Sequence, residues 1–191
     1  MINNNIKALI ILILLFASMV YAQQDTESLI NKRYKCYVSL KAGSQMSGIK
    51  REDFILSNYS PLINLTIGKW FVYYLALEIG YKGYYFYYIG DEIKHHYQYY
   101  YGAAVLSIIN MINCNNDINK CDITIHVGSG YFYNNVYGRP NICLNMDMQS
   151  KYRLNNILSV DFQFSAIMGW DIYQQNEDIL PGVSLGLTYM F

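Results

Sequence analysis

From residue 34 onward the sequence alternates with a period of two, and its charged side chains keep to one phase of that alternation. In 34–42, Tyr34, Cys36, Val38, Leu40 and Ala42 are set against Lys35, Tyr37, Ser39 and Lys41. The same split opposes Ile63, Leu65, Ile67 to Asn64, Thr66, Gly68, and Leu77, Ile79, Tyr81 to Glu78, Gly80, Lys82. It recurs with Tyr100, Ala104, Leu106, Ile108 against Tyr101, Ala103, Val105, Ser107, and with Ile123, Ile125, Val127 against Thr124, His126, Gly128. Three further segments centre on Met146, Phe162 and Leu187. Successive Cβ atoms of a strand point to opposite faces, so the pattern predicts eight strands. The charges expected inside them, Lys35, Lys41, Glu78, Lys82, Asp147, Lys151, Arg153 and Asp161, all fall in the polar phase. A face that never carries charge lies against lipid or in a dry core.

Eight strands of about ten residues, an even count, predict an all-β fold: an eight-stranded antiparallel up-and-down transmembrane β-barrel, whose closure leaves no unpaired edge in lipid. Alternation does not say which phase faces inward. A secreted lipocalin-like barrel with its apolar phase around a hydrophobic ligand therefore remains the alternative. The 21 tyrosines favour the membrane. On the apolar phase Tyr81, Tyr100 and Tyr131 fall toward one rim, and Tyr34, Tyr152, Tyr189 and Phe191 toward the other, as interfacial girdles require.

The leader agrees with that compartment. Lys7 precedes the apolar run 8–16 and a small-residue stretch ending at Ala22, the layout of a signal peptide cut after Ala22. The expected organisation is a signal peptide over 1–22, a short periplasmic segment over 23–33 and the barrel over 34–191. Fourteen basic residues balance fourteen acidic ones, which leaves no field for holding nucleic acid. In an oxidising compartment Cys114 and Cys121 are candidates for a disulfide across a small polar loop, with free thiols as the alternative; Cys36 and Cys143 are read as free.

With both termini in the periplasm, the connections near 43–60, 84–96, 134–140 and 170–180 face outward and those near 69–73, 110–121 and 154–157 inward. The eight charges, of both signs, are expected to cross-link as a polar plug in a lumen just wide enough for side chains, with no wide aqueous channel. No cofactor, metal or catalytic centre is expected. His126 and Ser129, three apart on a strand, point to opposite faces and make a poor base and nucleophile. His95 and His96, with Asp91 and Glu92, read as a solvated loop rather than a metal site. Tyr97, Tyr99, Tyr100 and Tyr101 read as a strand end at the outer interface rather than a sugar-stacking platform.

The segments SPLINLTIGKWF at 60–71 and LEIGYKG at 77–83, with VGSGY at 127–131 and the terminal LTYMF at 187–191, resemble the small OmpA/OmpX-like outer-membrane β-barrel proteins of the Bacteroidetes type. The likeness covers most of 34–191. It departs from the family near Ala103, where an acidic residue is often found, and it does not extend to a peptidoglycan-binding domain, so cell-wall tethering is not expected. The resemblance implies a non-enzymatic monomer in the outer membrane, in contact with its lipid, serving envelope structure or presenting loops to an external partner whose identity the sequence leaves open. It also implies that Tyr189 and Phe191 are the signal read by the barrel-assembly machinery. The rival of the transport class is a small narrow pore for ions or solutes.

Overall fold

The computed structural model describes residues 36–47, 58–87, 94–112, 120–135, 140–170, 172 and 177–191. The leader, the 23–33 segment, Tyr34, Lys35, Asp91, Glu92 and Cys114 lie outside them. Eight strands follow in order: β1 Cys36–Met46, β2 Tyr59–Val72, β3 Leu75–Tyr87, β4 Lys94–Ser107, β5 Cys121–Asn134, β6 Pro140–Arg153, β7 Leu158–Trp170 and β8 Glu177–Met190. Each pairs antiparallel with the next, and β1 closes on β8. This is the closed up-and-down barrel that the alternation predicts.

The apolar phase faces out. Leu40, Ile79 and Ile142 are 60%, 67% and 70% exposed, while Lys41, Lys82 and Asp147 are buried. A lipocalin-like barrel needs the reverse, so that alternative is overturned. The confinement of charge also needs a correction at the rims. Lys69 near the β2–β3 turn and Lys94 at the start of β4 stand exposed among the outward residues. A lysine at a strand end reaches water along its own apolar stem.

Two short turns define one end of the barrel. Only Tyr73 and Tyr74 separate β2 from β3, with Val72 paired to Leu75. Between β6 and β7, the Asn155 side chain accepts hydrogen bonds from the backbone N–H groups of Ile157 and Leu158, at 2.9 and 2.7 Å. At this same turn end β4 stops at Ser107, and a five-residue helix, α1 (Ile108–Ile112), takes over, correcting the expectation that Ile108 continues the strand. Ser107 caps it by accepting from the Asn110 N–H at 3.2 Å. At the opposite, loop end the strands run to 13 and 14 residues in β3 and β4, longer than the alternation suggests, because ladder pairing continues from Tyr84–Tyr97 to Tyr87–Lys94 after the apolar pattern stops.

Aromatic rings fill two places where the inward phase has glycine. Tyr37 pairs across the strands with Gly68, and Tyr101 with Gly80. A Cβ on either glycine would come within 2.3 or 2.4 Å of the facing ring. Each ring lies over its glycine and is held at its hydroxyl, Tyr37 by Glu78 and Tyr101 by Asn64.

Candidate functional site in the barrel interior

The inward phase is layered. At its waist, Lys82 on β3 donates from Nζ to Asp147 Oδ1 and to Asn145 Oδ1, both at 2.6 Å. Asp147 Oδ2 accepts from Gln163 at 2.7 Å and Asn145 at 3.1 Å. Gln163 in turn accepts from Asn64 at 3.1 Å, which itself accepts from the Tyr101 hydroxyl. The Lys82 ammonium also lies 5.3 Å from the centre of the Tyr101 ring. A buried ion pair holds only when its remaining lone pairs and protons are matched, and here Asn145 on β6 and Gln163 on β7 supply the partners.

A second chain of contacts runs toward the turn end. Glu78 accepts from Tyr37 at Oε2, 2.7 Å away, and from His126 Nδ1 at Oε1, 2.9 Å away. The other ring nitrogen of His126 lies 2.9 Å from Thr124 Oγ1. Acid, imidazole and hydroxyl stand in the order of a hydrolytic triad, yet His126 is 3% exposed and Thr124 fully buried, so no substrate reaches them. Ser129 faces outward, as the strand spacing predicts.

The remaining expected plug residues divide. Asp161 accepts from Ser39 at 3.4 Å and from the Thr188 hydroxyl. Lys151 makes no ion pair among the described residues; its Nζ lies 5.5 Å from the Tyr37 ring centre and 5.9 Å from that of Trp70. Lys41 is 2% exposed and has neither hydrogen-bond nor ion-pair partner among the described residues. Arg153 is half-buried, and its Nε has no hydrogen-bond partner among the described residues. Among the described residues the plug is thus cross-linked through Lys82, Asp147, Glu78 and Asp161, and not through Lys41, Lys151 or Arg153.

Apolar layers close the waist on both sides, which the expectation of a polar lumen missed. At the loop end Phe86, Tyr97, Tyr99, Tyr101, Phe132 and Ile167 form a buried cluster, with Tyr97 stacked on Phe132 at 4.9 Å and Tyr99 on Tyr101 at 5.4 Å. Tyr97 donates to Gln45 and Tyr99 to the Cys143 carbonyl, so each hydroxyl is matched. At the turn end Tyr37, Ala76, Val105 and Met190 pack with Trp70. Reading Tyr97, Tyr99 and Tyr101 as an interface strand end is therefore corrected: only Tyr100 of that run faces out. His95 is also on β4 rather than in a loop, turned inward and stacked on Phe86 at 5.5 Å, while His96 faces out, so the two cannot share an ion. Cys121 is a free, exposed thiol at the first residue of β5, and its candidate partner Cys114 lies outside the described residues. Cys36 and Cys143 are free, as read.

Outside, the loop-side girdle stands as expected. Tyr81, Tyr100 and Tyr131 share one cross-strand row, and the Tyr81 and Tyr100 rings lie 5.3 Å apart. On the turn side Tyr152 is exposed and Tyr189 half-buried, joined by Phe71 and Tyr73, which the sequence reading passed over.

No family model matches this sequence, and no curated protein matches it. Solved structures do match. Neisserial surface protein A is similar over 82% of this chain and 97% of its own, with a TM-score of 0.60 at 10% identity. The attachment invasion locus protein of Yersinia pestis is similar over 83% of this chain and 99% of its own, with a TM-score of 0.54 at 10% identity. At that identity the likeness is one of fold, and the fold is that of the small eight-stranded outer-membrane β-barrels.

Proposed function

We propose that this chain is a non-enzymatic, monomeric outer-membrane barrel of the OmpA/OmpX-like kind, of the Bacteroidetes type by its sequence resemblance, that serves envelope structure or holds loops out to an external partner. The observation that carries the reading is the sorting of the wall: exposed Leu, Ile, Met and Phe side chains outward, and buried Lys, Asp and Glu inward. Closure of the ladder supports it, because lipid tolerates no open strand edge. In this reading the signal peptide is removed near Ala22, and Tyr189 and Phe191 present the chain to the barrel-assembly machinery. The two apolar layers, packed above and below the charged waist, argue against the narrow-pore alternative.

The test is membrane fractionation combined with gel mobility of heated and unheated samples. The protein is expected in the outer-membrane fraction, with an unheated band that migrates faster. Recovery in a soluble fraction without a heat-dependent shift overturns the reading, and stepwise conductance in planar bilayers would replace it with the pore.

A further inference from the structure

Beyond the girdle row of Tyr81, Tyr100 and Tyr131 the outer wall changes composition. The outward side of the β3–β4 hairpin there carries Tyr84, Tyr85, Tyr87, Lys94, His96 and Gln98, rings and polar groups with no aliphatic side chain among them. The rings are in contact. Tyr84 and Tyr85 lie 5.1 Å apart and Tyr85 and Tyr87 5.5 Å, while the His96 ring stands steeply against both Tyr84 and Tyr85, at 6.0 and 5.9 Å. Lys94 Nζ lies 5.0 Å from the centre of the Tyr85 ring.

Tyr84 is out of phase with its own strand. β3 turns Glu78, Lys82 and Phe86 inward, and parity would send Tyr84 with them, toward Tyr97, its partner across the ladder. Its ring is instead 53% exposed, and its φ of 154° makes it the one non-glycine with a positive φ among the described residues. That region of backbone space is nearly confined to glycine, and residues held there gather at ligand sites. The product of the strain is an added ring on the outer face, set against Tyr85 and His96.

A membrane girdle does not account for these rings. Strands rise about 3.3 Å per residue and tilt by about 40°, so Tyr85 stands roughly 10 Å and Tyr87 roughly 15 Å farther along the barrel axis than Tyr81. The polar layer beyond the hydrocarbon is only about 5–7 Å deep on each side, which leaves the platform in water.

We propose that this hairpin face is a carbohydrate-binding platform for an external glycan, with a sugar ring laid on Tyr84 and Tyr85 and its hydroxyls met by Tyr87, Gln98 and Lys94. The proposal rests on the reading of the chain as a membrane barrel with an external partner, and names the class of that partner. A pyranose has a face of C–H groups, which suits the negative π face of a tyrosine, and a rim of hydroxyls, which suits the polar groups around it. An apolar ligand leaves those polar groups unmatched. A quaternary ammonium is opposed by Lys94, whose charge already lies by Tyr85. A protein partner covers roughly 800 Å² on each side, more than the face of one hairpin offers.

The test probes the full chain in phosphatidylcholine nanodiscs against an array of free oligosaccharides, from cellobiose and chitobiose to sialyllactose, with affinities followed by saturation-transfer NMR. Binding of at least one is expected. Tyr85→Ala is expected to weaken it about tenfold, the loss of one stacked ring, while Tyr131→Ala in the girdle leaves it unchanged. Tyr84→Gly weakens it similarly, yet leaves the barrel no easier to unfold because φ there suits glycine. Binding that ignores Tyr85→Ala and Tyr84→Gly, or no binding while the heat-shifted gel band is intact, overturns the platform and leaves the barrel in the membrane. Binding only to glycans carried on a lipid of the same nanodisc overturns the external source, and binding to a glycoprotein that survives removal of its glycans overturns the sugar. Recovery of the chain in a soluble fraction removes the membrane reading and the platform together.

Discussion

The waist and the loop-end layer of the interior are both buried, yet they hold the barrel by opposite means. The waist joins Lys82, Asp147, Asn145, Gln163 and Asn64 through directed bonds, each of which fixes a partner and a position. The loop-end layer joins Phe86, Tyr97, Phe132 and Ile167 by contact area. Directed bonds are costly to break singly and contribute little net stability when whole, whereas packed rings contribute in proportion to the area they hide. The waist therefore specifies how the strands meet, and the aromatic layer supplies stability and the seal.

That division can be broken at either layer. Asp147→Ala strands the Lys82 ammonium in the interior, and about 3–5 kcal/mol of stability is expected to be lost in urea unfolding of the vesicle-embedded barrel. Replacing both members, Lys82→Met with Asp147→Leu, is expected to cost clearly less than Asp147→Ala alone; an equal cost would show that the pair is favourable in itself. Phe132→Ala removes a ring stacked on Tyr97, with an expected loss of about 3 kcal/mol and, unlike the waist variants, a rise in ion leakage across vesicles. Unchanged leakage would show that the seal lies elsewhere. Gly80→Ala pushes the Tyr101 ring off its place and breaks the bond to Asn64, for about 1–3 kcal/mol. Lys41→Met is the mildest, since the ammonium has no hydrogen-bond or ion-pair partner among the described residues; stability within about 1 kcal/mol of the parent, or above it, is expected in the same unfolding assay.

The strand count, the phase of most strands and the girdle row were legible because one rule, apolar outward and polar inward, holds along the wall between its rims, and one sequence displays a rule repeated eight times. The pairing of Lys82 with Asp147 was not legible. They lie 65 residues apart, and their meeting depends on how far each strand is staggered against the next, which the alternation leaves free. His126 is weighed in the sequence only against Ser129, and its contact with Glu78, 48 residues away, depends on the same stagger. Tyr97 and Tyr99 were misassigned for a physical reason: tyrosine suits an interface and a packed interior equally well, so its identity does not mark its face. Counting in twos from Ala103 and Val105 puts both inside, and that parity was the signal available. The ends of β3 and β4 escaped because backbone pairing outlasts the apolar pattern that announces it.

The two glycine–tyrosine pairs, Gly68 with Tyr37 and Gly80 with Tyr101, bear on how such a sequence can change over time. At each pair one position is empty because the other is full. A larger residue at the glycine is harmful while the ring is present, and a smaller residue at the tyrosine leaves a void while the glycine is present. Either substitution becomes acceptable only after the other, so drift at these four positions must pass through a less stable barrel, and the two hairpins are expected to hold both pairs while the lipid-facing residues around them turn over freely.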